Sequence, residues 1–404
     1  MNYKETIDYL YSCLPSLDKK GWGAYKPGLA RVKQMLDLLG NPQNSYKIIH
    51  VAGTNGKGSV SHMLASVLQE SGLKVGLFTS PHLKDFRERI KVNGTEISEK
   101  EVVSFVQGYS VQSKTIAPSF FEYTFALAVN YFKSVNVDVV IIETGLGGRL
   151  DCTNVVDPVL SVITNISLDH EQFLGNTLRK IASEKAGIIK SHVPVVVGRQ
   201  QKEIEKIFIE VAASKKSPLH FANKNTAIFP CELKGIYQVE NQRTVLECIT
   251  TLNALQFPIQ EANTKKGLEH VVSNTGLKGR WQELSVNPKV ICDVGHNADG
   301  VRELIKQLAD ELYSNIRVVW GMSEDKNTKE ILELLPADYD YYWCASQNLR
   351  SLDATKLKTR AKTLGLEGQV FASVDAAYQQ AFKDLKKDEM LFVGGSVFVV
   401  SEVI

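Results

Sequence analysis

The chain has 404 residues, 44% hydrophobic and 23% charged, which is too long for one ordinary core, since single cores stop growing near about 250–300 residues. Two globular domains are expected, and the composition excludes a disordered, collagenous or coiled-coil chain. Lys+Arg 47 against Asp+Glu 45 leaves a formal charge of +2, so no bulk field holds nucleic acid or an anionic membrane and any anion site has to be local. The six cysteines form no C-x-x-C pair, which disfavours a zinc ribbon, a thioredoxin-like motif and a disulfide scaffold; they read as reduced thiols of a cytoplasmic protein. The N-terminal MNYKETIDYLYSCLPSLDKK carries acidic residues within its apolar stretch and no small-residue cleavage site, so no signal peptide is expected. No uninterrupted run of about 18 apolar residues suggests a membrane span.

In chain order, the first 45 residues read as helices, with Ile7, Leu10, Tyr11 and Leu14, then Leu29, Val32, Met35, Leu36 and Leu39, at helical spacing. KIIHVAG (47–53) is a β-branched apolar run, SVSHMLASVLQESG (59–72) a helix stopped by Gly72, and KVGLFTS (74–80) a second strand, which together make a βαβ unit. FFEYTFALAVNYFKSV (120–135) reads as a helix, and VDVVIIET (137–144) and PVLSVITNI (158–166) as buried strands. From about residue 285 a second alternation runs from KVICDV to MLFVGG and is expected to end in a strand, with Asn287-Pro288 as the linker. The fold class is therefore α/β: an N-terminal P-loop-type ATPase domain with a mostly parallel sheet over 1–285, and a smaller Rossmann-like C-terminal α/β domain over 286–404.

Between the first strand and helix lies Gly53-Thr54-Asn55-Gly56-Lys57-Gly58-Ser59. Successive backbone N–H groups at a helix N-terminus can surround phosphate oxygens, while Lys57 supplies charge to the β/γ end. The plainer reading is a glycine turn with an exposed lysine, against which stand the flanking strand and helix. Gly58 occupies the place where Ser or Thr usually meets Mg²⁺, so the hydroxyl ligand has to come from elsewhere; Ser80, in Thr79-Ser80-Pro81-His82-Leu83 at the end of the second strand, is the candidate, although a Ser-Pro turn explains the dipeptide alone. Glu143 ends VDVVIIE, where a carboxylate is seldom spent without a partner. Asp169 and His170 end the next strand segment, His170 reading either as a ligand or as a hydrogen-bonded structural residue. A G-x-G-x-x-G dinucleotide fingerprint is absent from the first unit.

HVAGTNGKGS, TSPHL, FFEYT, ETGLGGRLDCTNV, ITNISLDHEQFLG, IASEKAGIIK, GLKGRWQ, DVGHN, DK at 325–326 and GGSVFVVSEV, taken in order, resemble the folylpolyglutamate synthase family with its bifunctional dihydrofolate synthase relatives, within the wider Mur ligases. The resemblance implies ATP-dependent addition of L-glutamate to the carboxylate of tetrahydrofolate through an acyl phosphate, with conversion of dihydropteroate to dihydrofolate as an accompanying activity left open. About 45 residues precede the first strand, too few for the UDP-sugar domain that generally precedes the ATP domain in the peptidoglycan enzymes. By the same resemblance Gly53 to Ser59 hold ATP, with Asn253, Arg280 and Asp293 as further nucleotide contacts. Ser80, Glu143, His170 and a carbamylated Lys185 serve two Mg²⁺ ions, a lysine ammonium being no metal ligand until a carbamate gives it oxygens. His296 and Ser396 face the incoming glutamate, with His296 a guess for the base, and Phe120, Phe121, Glu122 and Leu150 line the pterin or folate pocket. Lys57, Lys185 and His296 form the catalytic set. On spacing alone Phe120 and Phe121 read equally well as helix core and Ser396 as a turn residue. The expected partners are small molecules (folate or pteroate, L-glutamate, ATP), with no nucleic acid, no membrane and a monomeric chain. The alternatives are a Mur-type ligase for another carboxylate and a nucleotide-binding NTPase that ligates nothing.

Overall fold

Continuous β-branched runs such as KIIHVA and VVIIE have no polar face, so they pair where both faces of a sheet are covered, and their strands are buried at nearly every residue. The structure, a computed structural model, describes residues 1–15 and 27–404. Residues 16–26 of the expected N-terminal helices lie outside the described residues. By contacts the chain divides into two compact units, the first comprising Met1–Ser167, Glu171–Glu232 and Gln238–Leu277, the second Lys278–Ile404 together with Leu168–His170 and Leu233–Tyr237.

In the first unit β1 (Lys47–Ala52), β2 (Val75–Phe78), β3 (Ile90–Val92), β4 (Thr95–Glu96), β5 (Val139–Glu143), β6 (Leu160–Ile163), β7 (Val195–Val197) and β8 (Leu219–Phe221) form one sheet in the order β4-β3-β2-β5-β1-β6-β7-β8. The six strands β2-β5-β1-β6-β7-β8 are all parallel, while β3 and β4 add an antiparallel edge. The register decides what meets at the strand ends. Val51 lies beside Glu143 and Ala52 beside Ile163, so the loop leaving β1 emerges between the ends of β5 and β6. The Lys57–Glu70 helix, the expected 59–72 helix starting two residues earlier, packs back over this sheet. The Phe120–Ser134 helix begins with a capping box, Ser119 Oγ accepting from Glu122 N at 3.2 Å and the Glu122 carboxylate accepting from Ser119 N at 2.7 Å. Phe78, Phe125, Phe132 and Val140 belong to the core between that helix and the sheet.

In the second unit β9 (Gln282–Ser285), β10 (Lys289–Cys292), β11 (Asn315–Trp320), β12 (Asp340–Trp343), β13 (Gly368–Val370) and β14 (Glu389–Gly394) form a sheet in the order β13-β12-β11-β14-β10-β9, parallel except for β9. Its core gathers Trp320, Trp343, Tyr341 and Phe392, with the Tyr341 and Trp343 rings stacked 4.7 Å apart. Two sequence expectations are corrected here. Asn287-Pro288 is not a linker but the turn of the β9–β10 hairpin, so the second sheet already holds residues 282–285 and the chain leaves the first unit at Leu277 rather than 285. The unit also ends in a helix, Val397–Val403, instead of a strand. None of the six cysteines forms a disulfide, and among the described residues no helix is long and apolar enough to cross a membrane.

Candidate active site

The β1 loop is built by its neighbours. Thr54 N donates to Asn165 O at 2.9 Å and Asn55 N to Asn165 Oδ1 at 2.9 Å, while Thr164 Oγ1 donates to Asn55 O at 2.5 Å. TNIS after β6 therefore stitches the loop in place, a role that the sequence reading missed. Gly53 has φ +150°, and a Cβ there would meet Thr164 Oγ1 at 1.8 Å; Gly56 has φ +81°, and its Cβ would meet Asn241 Oδ1 at 2.2 Å. Both positions demand glycine, for backbone conformation and for space. Gly56 is the N-cap of the Lys57–Glu70 helix and has no side chain with which to cap it, so this N-terminus presents backbone N–H groups and the positive end of the helix dipole to an anion.

Lys57 Nζ donates to the carbonyls of Gly53 and Thr54, each at 3.1 Å, and Lys185 Nζ to the same Gly53 carbonyl at 2.7 Å. Lys185 is 4% exposed, on the Leu178–Ala186 helix. Ser59 Oγ accepts from Gln238 Nε2 at 3.1 Å, and Gln238 Oε1 accepts from Asn241 Nδ2 at 2.8 Å. These two amides open the Gln238–Ala254 helix. Asn253, the expected nucleotide contact, is not brought to the loop: it stands twelve residues beyond Asn241 on that helix, about 18 Å along its axis, and its amide donates to Ile259 O at 3.0 Å. The sequence signal for Asn241 was weak, an amide on a polar helix turn whose role appears only when the fold sets it against Gly56.

Glu143, 3% exposed at the end of β5, accepts from Ser80 N at 3.1 Å. A carboxylate and a serine hydroxyl are hard oxygen donors that suit Mg²⁺. Among the described residues no three acidic, histidine or cysteine side chains gather into a metal cluster, so phosphate oxygens and water would have to complete the octahedron, as Mg²⁺ commonly requires. The donor set thus fits the ion as a shared ligand of protein and nucleotide. His170, with φ +51°, groups with the second unit, its N–H donating to Asp169 Oδ1 at 2.9 Å.

From Glu143 the chain runs straight into the wall of a cavity of about 360 Å³ whose lining includes Pro27, Leu146, Arg149, Leu150, Phe173 and Glu184. The loop is held from beneath. Asp151 accepts from Leu146 N at 2.7 Å and from Thr153 Oγ1 at 2.5 Å, and Thr153 Oγ1 meets His50 Nε2 at 2.8 Å in the middle of β1. Burial raises the Asp151 carboxyl and holds His50 at about 3, so His50 is a neutral ring. Of the expected pocket residues Leu150 lines the cavity. Phe121 packs at Gly145, where a Cβ would meet its ring at 2.5 Å. Phe120 instead belongs to the core, 3% exposed and stacked on Tyr11 at 4.8 Å with the Arg89 guanidinium 5.4 Å from its ring centre. Glu122 is taken by its capping box and by Arg31 Nε at 3.1 Å.

In the second unit Asp293 follows β10 and accepts from Tyr237 OH, Trp281 N and Gly295 N at 2.5, 2.6 and 2.8 Å; burial is the main reason its carboxyl is raised. Arg280 donates to Gly279 O at 3.2 Å. His296 Nδ1 lies 2.9 Å from Val294 O, a carbonyl that can only accept, so Nδ1 carries the proton and Nε2 is the basic nitrogen; Nε2 stands 3.5 Å from Asp169 Oδ2. Asp169 also takes Lys326 Nζ at 2.5 Å and Asn297 Nδ2 at 3.2 Å. Despite its burial the charges of His170 and Lys326 hold this carboxyl well below the usual range. Ser396, expected on the glutamate side, is 3% exposed and caps the final helix, its Oγ accepting from Phe398 N at 3.2 Å.

Residues 51–275 match the Mur ligase middle domain and residues 279–397 the Mur ligase glutamate ligase domain. The chain is 36% identical over 339 residues to the dihydrofolate synthase/folylpolyglutamate synthase of Bacillus subtilis, covering 77% of this chain and 79% of that one. E. coli FolC in complex with DHPP and ADP superposes with a TM-score of 0.88 at 31% identity, over 100% of this chain and 97% of that chain. A bifunctional folylpolyglutamate synthase/dihydrofolate synthase with Mn, AMPPNP and L-glutamate bound gives 0.85 at 30%, again over 100% and 97%.

Proposed function

The chain belongs to the Mur ligase family, and on that footing we propose that it is an ATP-dependent ligase that joins L-glutamate to the carboxylate of a folate. The observation that carries this reading is the segment Glu143–Leu150, which begins beside the phosphate loop at the end of β5 and becomes the wall of a cavity whose size suits a flat heteroaromatic ring. The nucleotide contacts leaving β1 thus lie beside a carboxylate for a divalent ion at the end of the neighbouring β5, and the chain runs on from there into a ring pocket.

A carboxylate is a poor partner for an amine, because its oxygen leaves badly and its charge repels the nucleophile. Transfer of the ATP γ-phosphoryl group to a carboxylate oxygen releases ADP and leaves an acyl phosphate. The amine of L-glutamate attacks the carbonyl carbon, the bond to the phosphate oxygen breaks, and amide and inorganic phosphate result. Gly56, Lys57, Gly58 and Ser59 hold the triphosphate, and the Lys57 ammonium balances charge that moves toward the leaving ADP. A divalent cation held by Glu143 and Ser80, with His170 as a further ligand, supplies charge neutralisation on the phosphate oxygens. The AMPPNP and Mn of the relative's structure support ATP and one divalent ion; a second ion belongs to this proposal. Arg280 and Asp293 are further nucleotide contacts in this reading. His296 takes the amine proton at Nε2.

Lys185 completes the reading as a carbamate. Its ammonium shares the Gly53 carbonyl with Lys57, and two like charges around one buried oxygen disfavour each other. The neutral amine adds CO₂ and loses a proton to give an N-carboxylate, which turns that repulsion into attraction toward Lys57.

The test is a substrate panel. Tetrahydrofolate and dihydropteroate are each incubated with ATP, Mg²⁺ and L-glutamate, and the products are weighed by mass spectrometry. A glutamyl adduct on tetrahydrofolate is expected, and an adduct on dihydropteroate would add the second activity. No adduct on either would overturn the folate assignment in favour of another carboxylate.

A further inference from the structure

The cavity beside the phosphate loop is apolar but for three polar residues, and among the described residues that line it Arg149 is the one cation and Glu184 the one anion. Their ion pair is half in water. The Arg149 side chain is 56% exposed, and its Nε and Nη2 both reach a single Glu184 oxygen, at 3.1 and 2.8 Å. The Arg149 backbone, by contrast, is clamped: its N–H donates to Glu184 O at 2.8 Å, its carbonyl accepts from Asn154 Nδ2 at 3.1 Å, and a Cβ on Gly187 would meet its Cα at 2.5 Å. A fixed backbone with an accessible guanidinium is a preorganised receptor for a carboxylate, and a planar fork matches that anion best. An exposed ion pair is worth little, so sharing the guanidinium between Glu184 and a ligand anion costs little.

Resting on the folate reading, we propose that Arg149 sets substrate choice by receiving the α-carboxylate that a glutamylated folate carries and a bare pteroate lacks. The carboxylate to be phosphorylated has to face the nucleotide. In a glutamylated substrate the second carboxylate then comes to the rim of the cavity that takes the ring, where the cation at hand is the half-exposed Arg149. A pteroate, whose one carboxylate is the reacting group, has no such contact to make.

The experiment compares equilibrium binding of folic acid and pteroic acid, which differ by the glutamyl group alone, to the full chain and to Arg149→Ala and Arg149→Lys, by isothermal titration. Arg149→Ala is expected to shift the ratio of the two dissociation constants by about ten- to hundredfold against folic acid, the worth of a charged hydrogen bond. Arg149→Lys should recover part of it, and the thermal midpoint of each variant checks folding. An equal loss for both ligands, or none, would overturn the proposal and leave Arg149 as an anchor of its loop. If the unsubstituted chain binds neither ligand, the folate reading itself fails, and this inference with it.

Discussion

Lys57 and Lys185 converge on the carbonyl of Gly53, and each carries a separate expectation. Lys57→Ala removes the charge that follows the phosphoryl group, so kcat/KM should fall by about 10³ or more, while the thermal midpoint stays near that of the parent because the side chain is only half-buried, at the first residue of its helix. Turnover near normal at saturating ATP would contradict the phosphate assignment. For Lys185, protein equilibrated with ¹³C-bicarbonate should show a carbamate carbonyl resonance that Lys185→Arg lacks, and Lys185→Ala should regain activity with small carboxylates. Wild-type activity in Lys185→Ala without additives would contradict the role. Residues with local signals were legible: a glycine loop announces Lys57, and a carboxylate ending an apolar strand announces Glu143. Asn241, Gln238 and Asn165 carried no such signal, since amides on polar turns are everywhere in sequences and acquire a task only when the fold sets them against Gly56, Ser59 and the loop N–H groups. Phe120 shows the reverse, a residue suggested by resemblance whose ring the core has already claimed.

Among elements, the strands long enough to show continuous apolar character were read within about three residues at their ends, as were the helices behind them. The two- and three-residue strands β3, β4, β7 and β8 were not, because so few residues define no period and exist only through pairing with a neighbour. Asn287-Pro288 misled for a related reason: turn chemistry marks a reversal, and whether it joins two strands or two domains depends on what pairs beyond it. The phosphate loop and the Gln238–Ala254 helix behave as one element. Gly56→Ala pushes a methyl against Asn241 Oδ1 in a left-handed backbone, so it should weaken ATP binding and cost about 1–3 kcal/mol of stability. Adding Asn241→Ala opens the space but leaves the backbone strain. The double variant should therefore be more stable than Gly56→Ala alone, and a double variant no better than the single one would show that the contact is not what excludes Ala. Urea midpoints measure this.

For the whole molecule, His50 makes folding respond to acid. The folded chain holds this buried ring at about 3, against an ordinary 6.5. Below 6.5 the unfolded chain takes up a proton that the folded chain refuses, so the associated stability is complete above about pH 6.5 and is lost as pH falls toward 3. The loss from this one group between pH 7.5 and 5 is about 2 kcal/mol, and His50→Gln should flatten the pH dependence of the urea midpoint by that amount. Parallel slopes for the two proteins would contradict it. The central claim is that cleavage of ATP to ADP is tied to amide formation, and that nucleotide turnover without acceptors is not the function. Its most direct measurement is ADP release by the full chain with ATP and Mg²⁺, omitting tetrahydrofolate and L-glutamate in turn. The account predicts sustained ADP release only when both are present, with one glutamyl adduct formed per ADP; ADP released at the same rate with neither present would contradict it.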